Sequence, residues 1–257
     1  ATLLRMTAHE NDAAVRNGNR FLERFAQHES AEEVTFLIGR AQEQAESWDQ
    51  AAQTYQRFIR RSRNTNRQVE ASTRLAQVLM RSGNQSAADE ALSAAVRLAR
   101  RRATQISDQG VYYAAQARYL QAEQILREYE EIHLAGPIDG LRQRLERKSD
   151  LLRRAAEAFA DVVSFSVAEW VTAALFQIGH SYELYAEGLR NAPTPEGLTE
   201  EEEQAYFDQL QGFVVPIEER ALEAFEGGYS TALELRIFNS WTAHLREGLT
   251  RLNDVQY

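Results

Sequence analysis

Two histidine–glutamate pairs in this sequence have a spacing that could support metal or proton chemistry. Glu130 and His133 stand three residues apart, as carboxylate–histidine ligands do in di-iron helical bundles. Such a centre needs a second pair of that kind, and the sequence contains none, so no metal site is predicted. His180 and Glu183 are also one helical turn apart, which indicates an ordinary local contact. Ser181 cannot use His180 as a base, because adjacent residues of a helix point apart.

The sequence contains none of the motifs that mark common catalytic or cofactor-binding sites. Patterns for phosphate loops, dinucleotide folds, serine hydrolases, zinc proteases and calcium loops are all missing. The absence of cysteine excludes a disulfide, a thiolate nucleophile and a cysteine-ligated metal. We therefore expect a protein that is not an enzyme and that takes no cofactor.

A run of arginines, Arg97 followed by Arg100 to Arg102, could contact phosphate groups or acidic proteins. The run falls at the predicted end of a helix, where cations are favoured in any case. It has no interleaved aromatic residues, and the whole chain carries a net charge of −9. Nucleic acid is therefore not an expected partner.

Charge is distributed unevenly along the 257 residues. Residues 155–257 carry 18 acidic residues and five arginines, whereas residues 1–154 carry 24 basic and 20 acidic residues. The two parts could attract partners of opposite sign, or each other in neighbouring molecules.

The elements that position these residues are predicted to be helices throughout. Alanine, leucine, glutamate, glutamine and arginine dominate, and only four prolines and 13 glycines occur. No stretch alternates apolar and polar residues with the period of a strand. No apolar run is long enough to span a membrane, so no membrane span is expected.

Residues 31–101 contain two copies of one helix–turn–helix unit. In each copy, a large apolar residue is followed by a small one, and the small residue lies twelve residues before an alanine. Further core residues follow that alanine four and seven positions later. The two sets are Ile38-Gly39, Ala51, Tyr55, Phe58 and Leu75-Ala76, Ala88, Leu92, Ala95. A separation of 37 residues between the copies is the period of a helical repeat array.

Turn and capping signals give helix boundaries along the chain. The predicted helices cover residues 10–28, 31–46, 49–62, 67–82, 85–103, 167–190 and 236–252. Capping boxes are predicted at Ser30 with Glu33 and at Thr199 with Glu202. Pro216 is expected to kink or restart the helix that follows Thr199. The last helix should cover the exposed end of the stack.

Residues 103–165 allow two interpretations. Apolar residues continue without a turn signal over 109–133, and again from Ile138 to Phe165, with Gly136-Pro137 between them. This favours two long helices. The alternative is two ordinary repeats, because Ala88, Ala122 and Ala155 are spaced 34 and 33 residues apart. Further along, Ile178-Gly179 and Ala221-x-x-x-Phe225 reproduce the repeat signature.

The two repeat signatures resemble those of tetratricopeptide repeats. Trp48 lies in the turn between the helices of the first copy, and both copies lack the closing proline of that family. The resemblance implies an all-α, right-handed solenoid over residues 1–257 as a single domain. Residues 1–106 would form regular repeats, and residues 107–257 would form long helical hairpins with a capping helix.

The part from about residue 117 to 257 also resembles the C-terminal region of large tetratricopeptide proteins of gliding and predatory bacteria. The stretches that carry this resemblance are AEWVTAALFQIGHSYELYAEGL, NAPTPEGLTEEEEQAYFDQL, PIEERALEAFEGGY and FNSWT. It implies a scaffold in a cell-envelope assembly such as motility machinery. A periplasmic or envelope location also fits the absence of cysteine.

Stacked helix pairs curve, and the first helices of the pairs then line a concave groove. We expect a protein or peptide partner to bind in this groove. The candidate binding residues are polar residues of first helices that face away from the core: Arg40, Glu43, Gln77, Arg81 and His180. The alternative is a structural subunit that self-associates into a homo-oligomer through its acidic C-terminal half.

Overall fold

A computed structural model describes residues 2–7, 10–134, 140–192, 194 and 197–255. Within these ranges, the regular elements are eleven α-helices and a 3-10 turn at Ala103–Gln105, and none is a strand. The helices are α1 Thr2–Thr7, α2 Asn11–Arg24, α3 Ala31–Gln44, α4 Trp48–Arg61, α5 Thr65–Arg81, α6 Gln85–Arg101, α7 Asp108–Glu130, α8 Leu141–Val163, α9 Ala168–Arg190, α10 Glu200–Glu234 and α11 Ser240–Val255. The prediction of an all-α fold is confirmed.

The chain divides into two compact units, Ala1–Ala117 and Arg118–Tyr257, which we call unit 1 and unit 2. The division falls inside α7. A single solenoid domain over the whole chain stays a prediction. In the described part of the chain, no helix combines the length and apolar character needed to cross a lipid bilayer.

Unit 1 stacks its helices in chain order. α2 packs on α3, α3 on α4, α4 on α5 and α5 on α6. The predicted ends of α3 to α6 agree with the structure to within two residues. The repeat residues form the buried seams between these helices, since Ala51, Tyr55, Ala88, Leu92 and Ala95 are all fully buried. Gly39 lies directly against the Tyr55 ring, where an added Cβ would come within 2.8 Å of Cε1.

Unit 2 repeats this small-against-large packing with longer helices. α9 packs on α8, α10 and α11, and α10 packs on α11. At Gly179 an added Cβ would lie 2.7 Å from the ring of Phe225, which is fully buried. The second occurrence of the repeat signature therefore joins α9 to α10, although a long connection separates them in sequence.

The prediction of long helices over residues 103–165 is confirmed for the described residues. α7 and α8 are each continuous over 23 residues, and Gly136-Pro137 lies outside the described residues. The two helices run antiparallel, because Arg118 near the middle of α7 pairs with Asp161 late in α8, at 2.6 Å, while the end of α7 meets Lys148. Lys148 Nζ donates to the carbonyls of Tyr129 and Ile132, at 3.2 and 2.7 Å, and so caps the end of α7.

Several local predictions differ from the structure. Ser30 makes no capping hydrogen bond, because its own backbone is already helical. By contrast, the predicted capping box at Thr199 and Glu202 is present, so that prediction is confirmed. α10 passes through Pro216 without a restart. The last helix begins at Ser240, so Phe238 precedes it and is 76% exposed.

Candidate functional site

The polar side chains of α3 and α5 that face away from the packed seams form one surface in unit 1. We call this surface the α3–α5 face. Its members are Glu33, Arg40 and Glu43 on α3, and Arg67, Glu70, Arg74, Gln77 and Arg81 on α5. Residues three, four or seven apart share one side of a helix, which places each group on a single side.

Glu70 is the centre of the charges on this face. Its side chain is only 2% exposed, and Arg67 Nη1 and Arg74 Nε each donate to its carboxylate, at 3.0 and 3.1 Å. Gln109 of α7 adds a hydrogen bond from Nε2 at 3.1 Å. A buried carboxylate is stable only when such donors surround it.

The same two arginines tie α5 to α3. Arg67 Nη2 donates to both carboxylate oxygens of Glu33, at 3.0 and 3.1 Å. Arg74 Nη1 lies 3.3 Å from Glu43, which also accepts a hydrogen bond of 2.5 Å from Tyr55 Oη. Burial raises the pKa of Tyr55 well above its usual value, and the neighbouring Glu43 raises it further, so Tyr55 donates as a neutral phenol.

Aromatic rings hold both guanidinium groups in place. The Arg67 guanidinium lies over the Phe36 ring, 4.8 Å from its centroid. The Arg74 guanidinium lies 5.5 Å from the centroid of Tyr113, and its Nη2 donates to Tyr113 Oη at 3.0 Å. Tyr113 belongs to α7, so the polar network extends over α3, α5 and the unit 1 part of α7. Planar guanidinium groups favour this combination of stacking and forked donation.

Four of the five predicted binding residues lie on the α3–α5 face. Glu43 is held in the network, at 24% exposure. Arg40 and Gln77 are half-buried and Arg81 is exposed, and none of the three makes a hydrogen bond or ion pair with a residue of the described ranges. The fifth, His180, belongs to unit 2. Sequence reasoning missed Arg67, Glu70 and Arg74, although their spacing of three and four residues was a signal for a charged cluster on one side of α5.

His180 borders a cleft of about 440 Å³ that α7, α9 and α11 form within unit 2. Its Nδ1 lies 3.4 Å from Glu183, and its ring stacks on Phe176 at 5.5 Å. The predicted local contact between His180 and Glu183 is therefore present. Arg251 of α11 donates two hydrogen bonds to Glu183, at 2.9 and 3.0 Å. Burial opposes ionisation of Glu183, but His180 and Arg251 outweigh it and lower its pKa to about 2.

The geometry of Glu130 and His133 does not support a ligand pair. α7 ends at Glu130, so His133 lies beyond the helix that would have placed the two side chains together. Over the ranges that the structure describes, no cluster of three or more potential metal ligands occurs.

Exposed arginines gather at one end of unit 1, which we call the arginine edge. The α4–α5 and α6–α7 connections meet there, because Asn66 Oδ1 accepts a hydrogen bond of 2.8 Å from the Ser107 backbone. The arginines are Arg57, Arg60, Arg61, Arg63, Arg97, Arg100, Arg101 and Arg102. Unit 2 carries the opposite charge in an exposed run from Glu200 to Glu203 at the start of α10.

Comparison with known proteins adds a match to a solved structure. No family model matches the chain. No curated protein matches it in sequence either. A solved structure, the C-terminal part of a tetratricopeptide-repeat-containing protein from Cytophaga hutchinsonii, matches over 98% of this chain and 94% of that chain, with 12% identity and a TM-score of 0.37. This match is too distant to bear on function, and the fold described above follows from the packing of this chain's own helices.

Proposed function

We propose that this chain is a non-catalytic scaffold that binds a protein or peptide partner on the α3–α5 face. The observation that carries this proposal is the contrast between fixed and unpaired polar groups on that face. The network around Glu70 holds the two helices in register, while Arg40, Gln77 and Arg81 make no bond within the described residues. A surface with rigid support and unpaired donors suits recognition of carboxylate and backbone acceptors.

The chemistry of the face also indicates what the partner offers. Arg40, Gln77 and Arg81 are all donors, and arginine can bind a carboxylate through two parallel hydrogen bonds. The network already satisfies Glu43 through Tyr55 and Arg74. We therefore infer that Glu43 orients its neighbours, and that an acidic or extended segment of the partner contacts the three unpaired residues.

Site-specific photo-cross-linking tests whether this face is occupied. A benzophenone amino acid is placed at Gln77 on α5 in one variant, and at exposed Gln53 on α4 in the matched control. In lysate of the source organism, we expect one defined partner to be linked through position 77 and not through position 53. Equal labelling from both positions would contradict the proposal.

Affinity for the partner so identified gives the second test. The triple variant R40A/Q77A/R81A should weaken binding by about ten-fold or more, since several charged hydrogen bonds are lost. The control Q53A/R57A/R97A removes similar groups from α4 and α6, which lie outside the α3–α5 face, and should change affinity by no more than about two-fold. A triple variant that binds like the control would remove the face from consideration.

We further propose that the scaffold works in a bacterial cell envelope, in the periplasm or in a motility assembly. Two features support this location: the resemblance of residues 117–257 to the C-terminal region of large tetratricopeptide proteins of gliding and predatory bacteria, which implies an envelope role, and the absence of cysteine. Fractionation of the source organism with an antibody to the native protein tests it. Recovery in the cytoplasmic fraction alone would contradict it.

A second candidate function is that of a structural subunit that self-associates. The arginine edge of unit 1 and the Glu200–Glu203 run of unit 2 carry opposite charges, and the residues of both are exposed. Two copies of the chain could pair these surfaces reciprocally, as a symmetric dimer requires.

A further inference from the structure

The cleft beside His180 in unit 2 presents an aromatic pair and a carboxylate to a ligand. Phe176 and Trp241 lie together, with ring centroids 5.6 Å apart, and both line the cleft. The faces of aromatic rings carry partial negative charge and attract cations, most strongly when the site is partly desolvated.

Gln177 belongs to the wall of the same cleft. Gln177 Nε2 donates to Tyr119 Oη at 3.1 Å, which fixes the amide orientation. Its Oε1 is buried and, within the described part of the chain, has no hydrogen-bond partner. An unsatisfied buried acceptor is costly, and this one lies beneath the cleft surface, so Gln177 serves to shape the cleft wall and to hold Tyr119.

Glu123 supplies a carboxylate that is incompletely neutralised. Burial raises its pKa, while the charge of Arg127 and the hydrogen bond with Tyr119 act in the opposite direction. Arg127 is exposed, and its charge opposes the effect of burial without cancelling it, since the pKa of Glu123 stays raised. A cation that entered the cleft would therefore find a carboxylate whose negative charge is poorly solvated.

We propose that this cleft binds the guanidinium group of an arginine side chain on a protein partner. This inference rests on the proposed function as a protein-binding scaffold. The planar guanidinium suits both the rings and the carboxylate, since its face can stack on Phe176 or Trp241 while its N–H groups donate to Glu123. The cleft volume of about 440 Å³ lies within the range of ligand pockets. Lysine offers the charge but not the flat face.

Three short capped peptides test the inference directly on the full chain. They are acetyl-Gly-Arg-Gly-amide, its lysine counterpart, and its citrulline counterpart, which is a neutral analogue of arginine. Binding is followed through the indole N–H signal of Trp241, assigned with the W241F variant. The arginine peptide should shift this signal in a saturable manner and bind about ten-fold more tightly than the citrulline peptide. Equal binding of arginine and citrulline, or of arginine and lysine, would overturn the proposal.

Two variants that each remove a charge from the cleft should change the affinity for the arginine peptide in opposite directions. E123Q should lower the affinity for the arginine peptide about five-fold or more, because a charged hydrogen bond becomes a neutral one. R127Q should raise this affinity, because a competing cation is removed. E226Q, at an exposed position of α10 in the same unit, is the matched control and should change nothing. If E123Q loses its fold, the R127Q result still decides, and weaker binding by R127Q overturns the assignment.

These outcomes separate the cleft from the α3–α5 face. If cross-linking at Gln77 succeeds while the arginine peptide fails to bind, only the cleft assignment is wrong. If the peptide binds with the expected selectivity while position 77 captures nothing, the α3–α5 face is wrong and recognition is assigned to unit 2.

Discussion

Gly39 shows how a single residue determines the distance between two helices. An added Cβ would lie 2.8 Å from Tyr55 Cε1, and Tyr55 is fully buried and hydrogen-bonded to Glu43. The ring cannot move without breaking that bond. We therefore expect G39A to lower the free energy of unfolding by about 1–3 kcal/mol through overpacking, as measured by urea denaturation.

A glycine with open surroundings provides the control for this prediction. Gly212 is exposed within α10, and no described atom lies within 4 Å of the position of an added Cβ. G212A should leave the fold intact and raise stability by about 0.5–1 kcal/mol, because alanine loses less backbone entropy in a helix. If G39A were as stable as G212A, the close approach at Tyr55 would not limit the packing.

The residues of the seams could be predicted from sequence, whereas those of the polar network could not. The spacing from Gly39 to Tyr55 follows a periodic pattern that a single chain displays directly. Glu70 receives its donors from its own helix and from Gln109, which is 39 residues away. Without the stack of α3, α5 and α7, a glutamate that is 2% exposed cannot be told from a solvated one.

At the level of helices, one ion pair links α9 to α11. Glu183 accepts two hydrogen bonds from Arg251 and has a pKa of about 2, below its ordinary value of 4.5. A carboxylate whose pKa is lower in the folded state than in the unfolded state stabilises the fold when the pH is above its unfolded-state pKa. For Glu183, this stabilisation is lost as the pH falls through 4.5 toward 2. R251M should therefore lose stability near neutral pH and progressively less in acid.

Urea denaturation of R251M and the parent protein measures this effect. We expect a deficit of about 1 kcal/mol near neutral pH, because Arg251 is half-exposed and solvent screens the pair. At about pH 3 the deficit should shrink by more than half. R246M removes an exposed arginine of α11 without an ion pair in the described chain and is the control. A deficit independent of pH would mean that Arg251 acts through packing alone.

Helix ends show why local signals succeed or fail. Thr199 and Glu202 form the expected capping box because the backbone of Thr199 is extended and its hydroxyl can reach the Glu202 N–H. Ser30 is followed by Glu33 at the same spacing, but its backbone is helical and Glu33 pairs with Arg67 instead. The competing partner lies 34 residues away, so the sequence near Ser30 could not reveal it.

For the whole molecule, the sequence predicted the type and order of helices better than their grouping. The long α7 followed from an uninterrupted apolar run, but nothing in that run indicates that Ala117 and Arg118 belong to different compact units. The cleft beside His180 could not be predicted from the sequence either, since its walls come from α7, α9 and α11. Such sites depend on contacts among segments that are far apart in sequence.

The separation of charge between the two units gives a prediction about self-association. If the arginine edge of one copy binds the Glu200–Glu203 run of another, the attraction involves exposed groups and must weaken as salt screens it. Light scattering should then give a mass above the 29.3 kDa of one chain at about 0.05 M salt, and the mass of one chain at about 1 M salt.

The variant E200Q/E201Q/E203Q should be monomeric at both salt concentrations, while Glu202 is retained because it caps α10. The variant E219Q/E223Q/E226Q removes three exposed charges elsewhere on α10 and should still associate. A mass of 29.3 kDa for the parent chain at low salt would leave the scaffold with an unrelated partner as the function that the structure supports.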